Sequence, residues 1–340
     1  MLFKTIFYQK LQKKVTTLFN LETERVIREI ENLNKNNPKV IFQAPEGLKL
    51  KVEKEIEKIK QYFKQKNINI EIYLWGNTCF GACDLIDNHV KNLNVDLIIH
   101  YGHEKLSYAN PEIKTLFIPA YHIFNKDEEE KILNDIKNFI EKHKSGGKKV
   151  AIATTIQYKK LLKDFNPSII LGCRGEVKEG DVILFVGTGR FHPLMIAYKY
   201  QKEVFIYNPL SKCFDKISEE EINKFIKKRI LAISKLLLNK PKKVGVVLST
   251  KKGQCRKRVF DEIIKLLEEN DVNYLPILVD NISPDILFYD VDCYIIVACP
   301  RIVLDDYILY KKPIYTPEEF KLFLKNSFKY KFDEIKEDDF

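Results

Sequence analysis

Three segments of this chain open alike. Lys39-Val40-Ile41-Phe42-Gln43, Lys149-Val150-Ala151-Ile152-Ala153 and Lys243-Val244-Gly245-Val246-Val247 each place a lysine before a short apolar run. Each follows residues that favour loops: Asn36-Asn37-Pro38, Ser145-Gly146-Gly147 and Asn239-Lys240-Pro241. Apolar runs of about four to eight residues bounded by such loops read as buried strands. More of these runs follow each opening, separated by helix-length amphipathic stretches, the alternation of parallel sheets covered by helices. The fold class implied is α/β, with three similar domains, each a small parallel sheet flanked by helices.

In the first unit the expected strands are 40–44, 70–74, 97–100 and 116–118, with a helix over about 49–64. In the second they are 150–154, 169–171, 182–186 and 204–207. In the third they are 244–249, 273–279, 294–298 and 313–315, after a helix stopped by Pro241. With 340 residues the chain exceeds one ordinary domain. The expected limits are 1–110, including an N-terminal helical extension, then 111–217 and 218–340. In that extension Leu2, Phe3, Ile6, Phe7 and Leu11 lie near helical spacing, as in a surface or dimer-contact helix.

A formal charge of +10 suits an acidic partner, protein or nucleic acid. The lysines over 51–66, 126–144 and 219–235, however, are spread along amphipathic helices and read as solvated faces. Nucleic acid is therefore not the expected partner. No apolar run approaches the roughly 18 residues of a membrane span, and the first residues lack a signal-like stretch, so the expected location is the cytoplasm. No Ser-His-Asp order, Walker loop or paired zinc-type cysteine motif is present.

The seven cysteines are odd in number and belong to a chain without a secretion signal, so free thiols or metal ligands are expected. Cys173 directly follows the strand ending at Leu171-Gly172, Cys299 follows the strand ending at Ala298, and Cys83 comes shortly after the strand 70–74. Each unit thus offers one cysteine at the carboxyl end of a strand, where loops and helix N-termini of a parallel sheet converge on ligands. Three thiolates so placed could hold three irons of a 4Fe-4S cluster and leave the fourth open. Cys79 stands close enough in sequence to replace Cys83. Cys213 and Cys293 read as ordinary residues, and Cys255, in Lys251-Lys252-Gly253-Gln254-Cys255-Arg256-Lys257-Arg258, is expected to have a depressed pKa.

Gly187-Thr188-Gly189-Arg190-Phe191-His192-Pro193 joins a strand to a helical stretch and exposes backbone amides beside a small molecule. There Phe191 and His192 could pack on an adenine or bond a carboxylate. Pro45-Glu46-Gly47 also follows a first strand, and Glu46 could bond an amino group or open the next helix. His100 and His103 end a strand on the same side. They suggest a metal pair, although a structural histidine is the commoner case.

Together, Gln43-Ala44-Pro45-Glu46-Gly47-Leu48, Gly81-Ala82-Cys83-Asp84, His100-Tyr101-Gly102-His103, Leu171-Gly172-Cys173, the Gly187–Pro193 segment, Ser249-Thr250-Lys251-Lys252-Gly253-Gln254 and Ala298-Cys299-Pro300-Arg301 resemble the diphthamide synthase family. The resemblance spans nearly the whole chain. It implies a homodimer of three-domain subunits, each around a central 4Fe-4S cluster with Cys83, Cys173 and Cys299 as ligands. It also implies S-adenosylmethionine as co-substrate, bound near Pro45, Glu46, Gly47, Gly187, Thr188, Gly189, Phe191 and His192, and an external electron donor. The implied activity is radical transfer of a 3-amino-3-carboxypropyl group to a histidine of elongation factor 2, with release of methylthioadenosine. Where the family often continues the histidine motif with serine and cysteine, this chain has Glu104 and Lys105, so no ligand is carried over there. The alternatives are a quinolinate-synthase-like iron-sulfur dehydratase and a non-catalytic RNA-binding protein with a structural cluster.

Overall fold

The computed structural model describes residues 18–340. The helix expected over 1–19 lies almost wholly outside them, and its last two residues belong to a strand, β1 (Leu18–Asn20). Helix α1 (Thr23–Glu31) follows, then the first sheet unit. That unit consists of β2 (Lys39–Gln43), α2 (Lys49–Gln65), β3 (Glu71–Leu74), the one-turn α3 (Asp87–Val90), β4 (Leu97–Tyr101) and β5 (Thr115–Ile118). A short strand, β6 (Tyr121–Ile123), returns to pair antiparallel with β1.

Helix α4 (Lys126–Ser145) leads into the second unit. Its strands are β7 (Val150–Thr154), β8 (Ser168–Ile169), β9 (Val182–Val186), β10 (Val204–Asn208) and β11 (Cys213–Ile217), with α5 (Phe191–Tyr200) between β9 and β10. Helix α6 (Glu219–Leu238) opens the third unit, which contains β12 (Lys243–Ser249), α7 (Lys257–Glu269), β13 (Asn273–Val279), β14 (Cys293–Val297), α8 (Pro300–Asp306), β15 (Ile314–Tyr315) and α9 (Pro317–Leu324).

The three sheets share one strand order. It runs β3-β2-β4-β5 in the first, β8-β7-β9-β10 in the second and β13-β12-β14-β15 in the third, all parallel, with β11 added antiparallel to the second edge. In each, the opening strand lies inside and the order reverses beside it, which creates a crevice at the carboxyl ends. Strand β5 completes the first sheet, so that sheet extends past the expected limit at residue 110.

Strands β4, β9 and β14 are buried along their whole length, as expected when helices cover both faces of a sheet. Val40, Phe42, Ile59 and Ile99 fill one side of the first sheet, Phe185, Met195 and Ile206 one side of the second, and Val246, Ile263 and Ile295 one side of the third. Helices α4, α6 and α9 begin cleanly. Asn125 with Glu128, Ser218 with Glu221 and Thr316 with Glu319 each form a reciprocal capping box, worth about 1 kcal/mol per cap. Helices α6 and α9 are also joined by the buried pair of Arg229 and Glu319, in which Arg229 Nε and Nη2 each donate to a carboxylate oxygen at 2.6 Å.

Candidate iron-sulfur site

Cys83 and Cys173 follow the second strands of their sheets, whereas Cys299 follows β14, the third strand of its own. The positions are therefore not strictly equivalent, yet all three lie at carboxyl ends on the same crevice side. The Cys173 thiol hydrogen-bonds to the Cys299 sulfur, and Cys83 lies close enough to raise the Cys173 pKa by its charge. Cys299 is the N-cap of α8 and also accepts the Arg301 backbone N–H; the two hydrogen bonds hold its thiol below the ordinary value.

Cys83 behaves oppositely. Removal from bulk water and the neighbouring Cys299 push it up to about 12, while a bond from Gln254 Nε2 at 3.3 Å pulls the other way. Three crowded sulfurs cannot all ionise unaided, and a cationic iron-sulfur core among them would remove that penalty. The donor set fits such a group.

The segment Lys251–Gln254 brings the third unit onto the first. Lys251 pairs with Asp84 at 2.8 Å, both side chains being buried, and Lys252 reaches Asp87 at 2.6 Å and Glu112 at 2.9 Å. The Gly253 N–H bonds to the Cys83 carbonyl at 3.2 Å. A Cβ on Gly253 would stand 2.3 Å from Cys83 Cα, so only glycine allows this approach. The sequence showed this motif without a role; the structure makes it the brace of the Cys83 loop.

A second brace is the C-terminal tail, which sequence patterning does not mark. Arg256 is buried between Asp333, bonded at 2.8 and 2.9 Å, and Asp339 at 2.8 Å. Between those acids, the Ile335 N–H bonds the Cys173 carbonyl at 3.2 Å, and Glu334 accepts from the Gly175 N–H and from Lys199. Phe340 stacks on Tyr108 of the first unit at 4.3 Å, and Ser107 bonds Glu337. The tail thus ties together all three units around the cysteines.

Phe191 reaches this centre. A Cβ on Gly172, next to Cys173, would meet its ring at 2.1 Å, and the Arg301 guanidinium lies 4.0 Å over its face. His192 stacks on Phe185, and burial followed by the charge of Arg301 lowers its pKa to about 4, so it is neutral. Gly187 is buried; Thr188 and Gly189 are exposed. The Pro45-Glu46-Gly47 loop touches Gly102 through Pro45. Glu46 pairs with Lys49, which ties it to the Gly76 and Asn77 carbonyls.

The remaining cysteines and the two histidines lie elsewhere around this centre, in the cores or on a sheet edge. Cys293 is buried in the third core, and Cys213 is exposed on the edge strand β11. Cys255 does not have the depressed pKa expected from its basic neighbours. Partial burial raises it and outweighs the opposing charge of Lys257, because Arg256 spends its charge on Asp333 and Asp339. His100 and His103 lie in contact, their rings bonded Nε2 to Nδ1 at 3.0 Å, and Cys79 joins them.

Fold and site together define a three-sheet α/β protein whose carboxyl-end crevices converge on three cysteine sulfurs able to carry an iron-sulfur cluster. The sequence profile of the diphthamide synthesis proteins matches residues 44–335, and the chain belongs to that family. It is 31% identical to the 2-(3-amino-3-carboxypropyl)histidine synthase of Pyrococcus horikoshii, over 94% of each chain. It is 29% identical to subunit 1 of the Nematostella vectensis enzyme, over 93% of this chain and 70% of that one. The crystal structure of Pyrococcus horikoshii Dph2 with a 4Fe-4S cluster superposes with a TM-score of 0.79 at 31% identity, covering 94% of this chain and 95% of the other. This membership does not favour the quinolinate-synthase-like or RNA-binding alternatives. Among the described residues, no helix is long and apolar enough to cross a membrane.

Proposed function

We propose that this protein transfers the 3-amino-3-carboxypropyl group of S-adenosylmethionine to a histidine imidazole of elongation factor 2, releasing methylthioadenosine, in the first step of diphthamide biosynthesis. Cys83, Cys173 and Cys299 hold the 4Fe-4S cluster. When bound, the cluster supplies an electron and an open coordination position for S-adenosylmethionine. The observation that carries the reading is the approach of these three sulfurs, one from each sheet, with Cys173 bonded to Cys299 and Cys83 within electrostatic reach of both.

The surrounding residues fix geometry rather than perform proton chemistry. Gln254 and the Arg301 N–H stabilise thiolates, and the Gly253 contact and the tail hold the cysteine loops in place. Phe191, in contact with Arg301, offers an apolar face beside the cysteines for the adenine, and neutral His192 offers a hydrogen-bonding group. Thr188 and the Gly187 and Gly189 backbone, with Pro45, Glu46 and Gly47, complete the proposed co-substrate contacts. The protein works in the cytoplasm as a homodimer, with three domains per subunit and an external reductant.

The test is to incubate reduced, cluster-loaded protein with S-adenosylmethionine and elongation factor 2 and to locate the modification by peptide mass spectrometry. An aminocarboxypropyl group on one histidine is expected. Unmodified elongation factor 2 after methylthioadenosine has formed would contradict the assigned acceptor.

A further inference from the structure

Cys79, His100 and His103 form a second constellation of metal-ligating groups beside the cysteine centre. Their ligand atoms all lie within 4.8 Å of one another. They come from the ends of β3 and β4, the strands on either side of β2. Cys79 sits on the loop after β3 that also carries Cys83, His100 is the penultimate residue of β4, and His103 follows the turn at Gly102.

The protons of this group can be assigned from its neighbours. Gln43 Nε2 donates to the Asp84 carbonyl at 2.5 Å, which leaves Gln43 Oε1 to face His100 Nδ1 at 2.9 Å. An amide oxygen only accepts, so His100 carries its proton on Nδ1 and is bare at Nε2. That lone pair points between Cys79 Sγ, 3.9 Å away, and His103 Nδ1, 3.0 Å away. A metal-bound histidine usually has this arrangement, with its distal N–H anchored on an oxygen. Both imidazoles are neutral, the form that ligates.

The spacings also suit a metal. Zinc bonds of about 2.0–2.1 Å to nitrogen and 2.3 Å to sulfur in a tetrahedron set edges of roughly 3.3 Å between nitrogens and 3.6 Å between nitrogen and sulfur. The two separations here differ from those values by a few tenths of an ångström. The 3.9 Å contact is long for a hydrogen bond from a thiol, and the Gly81 N–H donates to Cys79 Sγ, a bond that favours the thiolate a metal needs.

We propose that Cys79, His100 and His103 bind a divalent metal ion of the zinc class, with three protein ligands and one exchangeable position, and that this ion pins the Cys83 loop to the end of β4. Binding displaces one proton from the Cys79 thiol, and any proton shared between the imidazoles moves to the outer nitrogen of His103. The site is separate from the cluster and takes none of its three cysteines.

The experiment uses cluster-loaded protein, equilibrated anaerobically with Zn²⁺, passed over a chelating resin and assayed for zinc and iron together. One zinc per chain above the cluster iron is expected, with one sulfur and two imidazoles in its X-ray absorption shell. Cys79→Ser and His103→Gln should each weaken zinc retention at least about tenfold without loss of iron. The half-buried His103 makes the second change tolerable to the fold. No retained zinc in the parent protein, or retention in either variant equal to that of the parent, would overturn the proposal.

Discussion

Gln254 donates its side-chain N–H to Cys83 Sγ at 3.3 Å, so the third unit bonds directly to the sulfur supplied by the first. Hydrogen bonds to a cluster sulfur stabilise the more negative, reduced state and raise its potential. Gln254→Leu should therefore keep its iron, show a lower reduction potential by redox titration, and turn over about 10–100-fold more slowly. An unchanged potential would mean that the bond does not act on the cluster.

Each of the three sulfurs is expected to be indispensable. Cys83→Ala, Cys173→Ala and Cys299→Ala should each lose iron and sulfide and abolish turnover, whereas Cys213→Ala, on the exposed edge strand, should change neither. Iron and sulfide assays beside methylthioadenosine formation distinguish the cases. Full activity in any of the first three would remove that residue from the ligand set.

The tail depends on Arg256. Arg256→Met strands the buried Asp333 and Asp339 without their cation, a change that costs about 3–5 kcal/mol when a buried pair is broken from one side. Denaturant unfolding should show a loss of that order. Because the tail also bonds Cys173, cluster retention should fall in the folded variant.

Acid should destabilise the fold partly through His122. Burial, and secondarily the charge of Lys51, lower its pKa from 6.5 to about 4. Its ring stacks on Tyr158 at 4.6 Å. Between those values the unfolded chain takes up a proton that the folded chain refuses, so stability falls as pH drops through the window. Thermal melts from pH 7 to pH 4.5 should show this decline, and His122→Phe should flatten it. Equal slopes in both proteins would remove His122 as a cause.

The buried strands were readable because burial on both faces leaves a continuous apolar run. The expected 150–154 and 182–186 coincide with β7 and β9. Strand β11 gave no such signal, since Cys213, Phe214, Asp215 and Lys216 are all exposed on a sheet edge. The cysteines were visible at strand ends, with Cys299 after the third expected strand of its unit and Cys83 and Cys173 after the second, but no sequence period reveals that Cys173 and Cys299 bond to each other. Nor could it reveal the partners of Arg256, which lie 77 and 83 residues away. Cys255 shows the same gap: counting nearby charges misjudged its pKa because burial and the pairing of Arg256 are long-range facts.

The central claim is that the three-cysteine centre cleaves S-adenosylmethionine toward aminocarboxypropyl transfer. Its most direct test is the nucleoside formed when anaerobically purified, cluster-loaded protein meets S-adenosylmethionine and dithionite, identified by chromatography and mass spectrometry. Methylthioadenosine is the predicted product, absent from Cys173→Ala. Formation of 5'-deoxyadenosine instead, or no product from a fully loaded sample, would contradict the account.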